Sequence, residues 1–360
     1  MGPNAGGDLR IPRRRARLEG SGAGPVAPGE PDAVTVVLPV RDEEPTVGHA
    51  LESLGRQTIG PESIEVLVYD GGSVDRTVEI CRPFAQRQPW RRFEVLDNPE
   101  ATVPHALNSG LAESRCPWFA VLGGRTALSP NYLEACLAEL RRAGPGVGVG
   151  GRFVAEADGL VPRSIAAVVT HPLGVGSGFR TETRAAEVPH HPFAVWRRED
   201  VIRFGGFDPD LVRNQDDAFS MHAARQGARI RLIPETAITY RPRERYLGLT
   251  VQYFQYGLWK SAVAVRYGLF PKRSVLPALV AGALPASVAL ATSGRTRLPL
   301  VALLGSYALG GAVVSAGAGT NPLLTSLALA VVHLSYGTGV IVGAVRPGLV
   351  MSPLARTRLR

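Results

Sequence analysis

The chain has 360 residues, room for one large domain and a further segment. Forty Lys and Arg against 31 Asp and Glu leave a net charge of +9. No zinc-finger, helix-turn-helix or RNA-binding signature accompanies that excess, which argues against nucleic acid as a partner. Anionic lipid and sugar diphosphates are the fitting counter-charges. Cys81, Cys116 and Cys136 show neither pairing nor metal-ligand spacing, which argues against a disulfide scaffold or a zinc site and fits a reducing compartment.

Residues 1–32 are rich in Gly, Pro and Arg, with Arg13, Arg14, Arg15 and Arg17 clustered. No apolar run follows them, so the segment reads as a disordered basic arm and not as a secretory signal. Val34–Val40 is a continuous apolar, β-branched run, the pattern of a strand buried on both faces. Thr46–Arg56 has helical spacing, and Ile64–Tyr69 is a second buried strand. Val74–Gln86 reads as helix, Phe93–Leu96 as strand, Pro104–Glu113 as helix, Trp118–Leu122 as strand and Pro130–Arg142 as helix. This alternation predicts an α/β domain over residues 33–245 with a mixed, mostly parallel sheet. Its second half is less regular, with short strands near Val147–Phe153, Ala194–Arg197 and Ile230–Ile233 and a helix at Asp217–Gln226.

Tyr246–Tyr267 alternates aromatic and polar side chains at helical spacing, which reads as an amphipathic interfacial helix over residues 246–273. Tyr253, Phe254, Tyr256 and Trp259 suit a membrane–water interface. A membrane anchor over 274–346 follows, with apolar stretches at 275–293, 298–317 and 322–345; a crossing needs ~20 residues. The charges lie at Arg295 and Arg297 and in a basic tail, 347–360, while 318–321 has none. Positive loops favour the cytoplasmic side. With a cytoplasmic catalytic domain, two crossings keep both basic segments inside and three put them outside. A multi-pass cell-membrane protein is expected, the count being two or three.

Ligands of open α/β sheets sit beyond the carboxyl ends of the strands. The first strand ends in Pro39-Val40-Arg41-Asp42-Glu43-Glu44 and the second in Asp70-Gly71-Gly72-Ser73-Val74-Asp75. An acid at a strand end can accept hydrogen bonds from a base or ribose, and glycines let a ligand approach the backbone. The same residues equally make a turn with Ser73 or Asp75 capping the next helix. Downstream come Asn98-Pro99 with Ala106-Leu107-Asn108-Ser109-Gly110, then Gly205-Gly206-Phe207-Asp208 with Arg213-Asn214-Gln215-Asp216-Asp217. Gln252-Tyr253-Phe254-Gln255-Tyr256-Gly257 with Trp259-Lys260 closes the series. In order and spacing this set resembles family 2 of the inverting glycosyltransferases, which have the GT-A fold. The last segment is similar to members that build exopolysaccharides on lipid carriers, as in succinoglycan assembly.

The resemblance implies transfer of a sugar from a nucleotide diphosphate, a UDP-sugar by the family's default, to a lipid-linked glycan or polysaccharide acceptor. It implies Asp216 as general base, with Asp217 the alternative one residue on. By the same carry-over Pro39, Asp42, Glu44, Asp70, Asp75, Asn108 and Arg125 bind the nucleotide sugar, and Gln252, Tyr256 and Trp259 close over diphosphate or acceptor. The family's Mg2+ or Mn2+ is held by an acid after the fourth strand. Here that position reads Leu122-Gly123-Gly124-Arg125, without a carboxylate. Three readings are compatible with this. Arg125 neutralises the diphosphate, a metal is held by other acids or by the diphosphate alone, or the chain is a silent membrane-bound relative that binds a nucleotide sugar or an active partner. A nucleotidyltransferase would want a glycine-rich phosphate loop with a lysine, which is absent. His190 and His191, adjacent on an extended segment, point to opposite sides and make a poor metal pair.

Overall fold

The structure, a computed structural model, describes residues 32–176, 178–268 and 274–351. The expected basic arm therefore lies outside the described residues apart from Asp32, as do 269–273 and the 352–360 part of the basic tail.

Strand β1 (Val34–Val40) leads to helix α1 (Val47–Gly55), and β2 (Ile64–Asp70) lies parallel to β1 in full register, from Val34 opposite Ile64 to Val40 opposite Asp70. The single helix expected over Val74–Gln86 is two short ones, α2 (Thr77–Cys81) and α3 (Phe84–Arg87). Pro83 lies between them; it lacks the N–H that would continue the ladder. Then come β3 (Arg92–Asp97), α4 (Val103–Glu113) and β4 (Trp118–Val121). A three-residue strand not anticipated, β5 (Thr126–Leu128), precedes α5 (Tyr132–Ala143) and β6 (Val147–Ala155).

The irregular half contains α6 (Leu160–Val169), α7 (Pro172–Val175), β7 (Ala186–Glu187), β8 (Trp196–Arg197), α8 (Arg198–Arg203), α9 (Gln215–Arg225) and β9 (Arg229–Tyr240). The sheet is mixed, as expected, but split in two. One part runs β3-β2-β1-β4-β8, with only β8 antiparallel; the other runs β5-β9-β6, with β7 also on β9. Alternate residues of β1 point to opposite faces. Val34, Val36 and Leu38 pack with Leu51 of α1 and Leu137 of α5, while Val37 packs with Leu107 and Leu111 of α4.

The remainder is helical: α10 (Tyr246–Tyr267), α11 (Val275–Thr292), α12 (Leu298–Ala318), α13 (Pro322–Val345) and a last short turn, α14 (Gly348–Met351). Helices α11, α12 and α13 are each long and apolar enough to cross a membrane. Helix α13 is the hub, packing on α10, α11, α12 and α6. Its glycines set the distance. A β-carbon on Gly339 would strike the Phe254 carbonyl oxygen, and one on Gly257 of α10 would strike that of Tyr336.

Because the backbones meet this closely, Tyr253 and Trp259, expected at a membrane–water interface, are buried against protein. Ile165 and Val168 of α6 and Leu249 and Tyr253 of α10 share one core with Val314, Ala328, Leu329 and Val332 of α12 and α13. The apolar helices are thus packed into the α/β half. Gly339→Ala should lower the stability of the detergent-solubilised full chain by about 1–3 kcal/mol, the usual cost of overpacking. Gly282→Ala, where nothing lies within 4 Å of the added carbon, should be neutral or slightly stabilising. Thermal unfolding of the two variants measures this, and equal shifts would contradict the close approach.

Candidate active site

The carboxyl ends of β1 and β2 stand level, Val40 beside Asp70, and the loops beyond them are latched by acids. Asp70 accepts hydrogen bonds from the Gly72 and Ser73 amides and, at 2.5 Å, from Ser73 Oγ. Asp42 Oδ1 accepts from the Val74 amide at 2.9 Å, and Glu44 Oε2 from the Arg76 amide at 3.2 Å. Asp75 accepts from the Glu44 amide through Oδ2 and from Thr77 N and Oγ1 through Oδ1. The turn needs Gly72 at φ +80°, a conformation other residues rarely adopt. Of the acids expected here, Asp70 and Asp75 hold the turn, and Asp42 and Glu44 join one loop to the other. Pro39 sits half-buried one residue inside the end of β1.

Beyond β4, the Gly123 amide donates to Thr126 Oγ1, which donates back to the Gly123 carbonyl. Arg125 Nη1 stands 3.5 Å from Glu43 Oε2, and its Nε donates to the Arg241 carbonyl at 3.3 Å. Burial raises the Glu43 carboxyl above its ordinary value, with Arg125 opposing. Glu43 went unnoticed in the sequence because it stands between two acids that fit the motif. Gly123 offers no side-chain oxygen, and among the described residues no group of three His, Cys, Asp or Glu side chains converges as for a metal ion. The residues present do not fit the usual carboxylate-held divalent cation.

The third part is the start of α9. Asn214 takes a left-handed conformation, φ +61°, which asparagine tolerates, and its Nδ2 donates to the Tyr256 carbonyl at 3.0 Å. Asp216 and Asp217, successive in the first turn, point to different sides of the helix. Asp217 pairs with Lys260 of α10, both buried. Asp216 stays half-buried, with Oδ2 3.5 Å from His190 Nε2. Ser220 Oγ donates to the Asp216 carbonyl and lies 3.1 Å from His190 Nδ1. With the Ser220 proton so placed, its oxygen is left to accept from Nδ1–H of His190. Burial works to raise the Asp216 carboxyl, but His190 and then Lys260 outweigh it and hold the group below the ordinary carboxylate value. His191 turns inward instead. Its Nε2 bonds the Gly151 carbonyl at 2.8 Å, and burial lowers it to about 4.

Asp216 and His190 open onto a cavity of about 430 Å3, lined also by Arg180, Arg213 and Tyr256 and, farther off, by residues of α7, α11 and α13. Tyr256 lines the cavity, and Gln252 braces it by donating to the hydroxyls of Tyr256 and Tyr240. Trp259 is not in the lining; it packs with Leu211, Val212 and Ala218, because α10 turns that face to α9. Asn108 is likewise engaged in structure. Its amide donates to the Phe207 carbonyl at 2.7 Å and accepts from the Phe207 amide at 2.9 Å, clamping the Gly205–Asp208 turn. Arg180 carried no motif signal, and Lys260 was legible only as the partner of a motif tryptophan.

Residues 35–204 match the family model described as glycosyl transferase family 2. The succinoglycan biosynthesis protein ExoA of Rhizobium meliloti is 27% identical over 84% of this chain and 92% of that protein. A dolichyl N-acetyl-alpha-D-glucosaminyl phosphate 3-beta-D-2,3-diacetamido-2,3-dideoxy-beta-D-glucuronosyltransferase of Methanococcus voltae is 21% identical over 66% of the chain and 75% of that protein. Among solved structures, a mannosyltransferase of Pyrobaculum calidifontis in complex with GDP-Man and Mn2+ superposes with a TM-score of 0.53 at 19% identity, over 86% of each chain, a likeness of fold. Family match and fold agree: over residues 35–204 this chain carries a glycosyl transferase family 2 domain, on a GT-A-like fold.

Proposed function

We propose that the chain moves a sugar from a nucleotide-diphosphate donor to a lipid-linked acceptor with inversion at the anomeric carbon. The observation that carries this reading is Asp216, a carboxylate kept ionised beside His190 in a cavity whose far wall is made by apolar helices. The acceptor hydroxyl attacks the anomeric carbon as the bond to the diphosphate breaks. Asp216 takes the hydroxyl proton, since a sugar hydroxyl is a poor nucleophile until it loses one. The nucleoside rests against the latched loops of β1 and β2, near Pro39, Asp42, Glu44, Asp70 and Asp75. A relative whose name gives a dolichyl-phosphate-linked substrate and another named for succinoglycan biosynthesis support an acceptor on a lipid carrier. The donor's base is left to a panel of UDP- and GDP-sugars.

The charge pattern favours a cytoplasmic catalytic domain with α12 and α13 as the crossings. Arg295, Arg297 and Arg346 then stay on the cytoplasmic side, and the uncharged 319–321 turn lies outside. A cysteine at Thr296 should be labelled only from the cytoplasmic side, and labelling from outside would require three crossings.

Asp216→Asn should lower turnover by about 10^2–10^4-fold, the range for a lost general base, while nucleotide-sugar binding holds. Near-normal turnover would discard Asp216 as the base. His190→Gln removes the group that favours the Asp216 carboxylate, so the Asp216 carboxyl should rise and the acid limb of the pH profile of kcat/KM should move to higher pH. An unmoved limb would detach His190 from the base. Asp217→Asn instead leaves Lys260 buried without its counter-charge and should cost about 3–5 kcal/mol of stability.

Arg125 supplies the charge that offsets the leaving diphosphate, since Gly123 has no carboxylate to hold a cation. Activity should survive EDTA and fall by about 10^2–10^3-fold in Arg125→Ala, the scale for losing one such stabiliser. Loss in EDTA with persistence in Arg125→Ala would place the task on a metal held elsewhere.

A further inference from the structure

Arg180 is a cation with no part in the steps above. Its guanidinium lies over three aromatic rings, 4.9 Å from the centre of Phe153, 5.4 Å from Phe179 and 5.9 Å from Tyr240. No carboxylate among the described residues forms an ion pair with it. The two acids that share its cavity are engaged, Asp216 with His190 and Asp217 with Lys260. Arg213, on the same wall, donates Nε to Gln255 Oε1 at 3.2 Å and also has no acid partner among the described residues. A guanidinium stacked on rings keeps its N–H groups at its edge, directed sideways. The cavity therefore presents two guanidinium groups that form no ion pair with a carboxylate among the described residues, Asp216 acting on Arg180 only from beyond ion-pair distance.

Away from Asp216 the lining changes character. It becomes mostly apolar, with Leu173 and Val175 of α7, Leu276 and Pro277 of α11 and Val332 of α13; the polar tips of His333 and Tyr336 there are bonded to the Leu173 carbonyl and the Ser274 hydroxyl. Two of these three elements are long and apolar enough to span a membrane. A ligand that complements both halves has an anionic head and an apolar chain. A nucleoside diphosphate complements only the first half, and Asp42, Asp70 and Arg125, which mark the donor side, do not line this cavity.

We propose that this cavity is a subsite for the phosphate of a long-chain lipid phosphate, bound chiefly by Arg180 with Arg213 beside it, the chain lying between α7, α11 and α13. The proposal rests on the transferase reading in one respect, the naming of this lipid as the acceptor's carrier. Arg180 and Asp216 line the same cavity, so the hydroxyl at the base belongs to a sugar carried close to that phosphate. The acceptor is then a short lipid-linked glycan and not the far end of a long polysaccharide.

The test uses the full chain in neutral detergent and reads binding by thermal shift. The probes are hexadecyl phosphate, hexadecanol, inorganic phosphate, UDP and GDP. Hexadecyl phosphate should bind more tightly than hexadecanol or inorganic phosphate. Arg180→Met should weaken it by roughly tenfold or more, the scale of a lost charge-assisted hydrogen bond, with nucleotide binding unchanged. Arg180→Lys, which keeps the charge, should recover part of the loss and separates a binding defect from a folding one. Equal binding of hexadecanol and hexadecyl phosphate would overturn the subsite. So would an Arg180→Met variant that loses UDP or GDP binding and keeps hexadecyl phosphate, which would assign Arg180 to the donor diphosphate. If hexadecyl phosphate binds through Arg180 but neither nucleotide binds, the subsite stands and the transferase reading fails.

Discussion

The placing of Asp216 and its neighbours depends on how closely α10 and α13 approach. Gly257, Gly339 and Gly343 leave no room between the two backbones for even one added carbon. Close packing transmits such a constraint, because a packed interface has few alternative arrangements. Helix α10 in turn positions the site. It gives the Tyr256 carbonyl to Asn214, Lys260 to Asp217, and Tyr256, braced by Gln252, to the cavity wall. The apolar helices therefore belong to the frame of the candidate site.

Charge in the site follows one rule. Each acid that the sequence offers at the strand ends is committed within the protein, and the arrangement of those commitments decides what is left for a ligand. Asp70 and Asp75 hold their own turn, Asp42 and Glu44 tie one loop to the other, Glu43 meets Arg125, and Asp217 meets Lys260. A buried charge without a partner is costly, which is why buried Asp217 and Lys260 are found together. Asp216 is set apart because its near partner is a histidine, His190, and not an arginine or lysine.

The α/β half and its strand ends were legible in the sequence because they depend on short-range pattern. A β-branched apolar run such as Val34–Val40 makes a strand wherever it is buried, and Asp70-Gly71-Gly72 makes a turn from local geometry alone. Pro83 shows the limit even here. Helical spacing over Val74–Gln86 was plain, yet one missing N–H divides the helix. The three apolar helices were legible for a similar reason, since length and hydropathy are local properties.

What only the tertiary structure decided is where those parts meet. The sequence named Asp216 and Asp217 as neighbours of equal chemistry. Both line the cavity, and what separates them is their partners: Lys260, 43 positions from Asp217, and His190, 26 positions from Asp216. It gave Trp259 the look of a ligand contact and Arg180 no look at all. The fold reverses both, burying the tryptophan against α9 and bringing the arginine to the cavity through α7. Short-range pattern sets each element's form, but partners distant in the chain are chosen by packing and charge pairing, which no single segment contains.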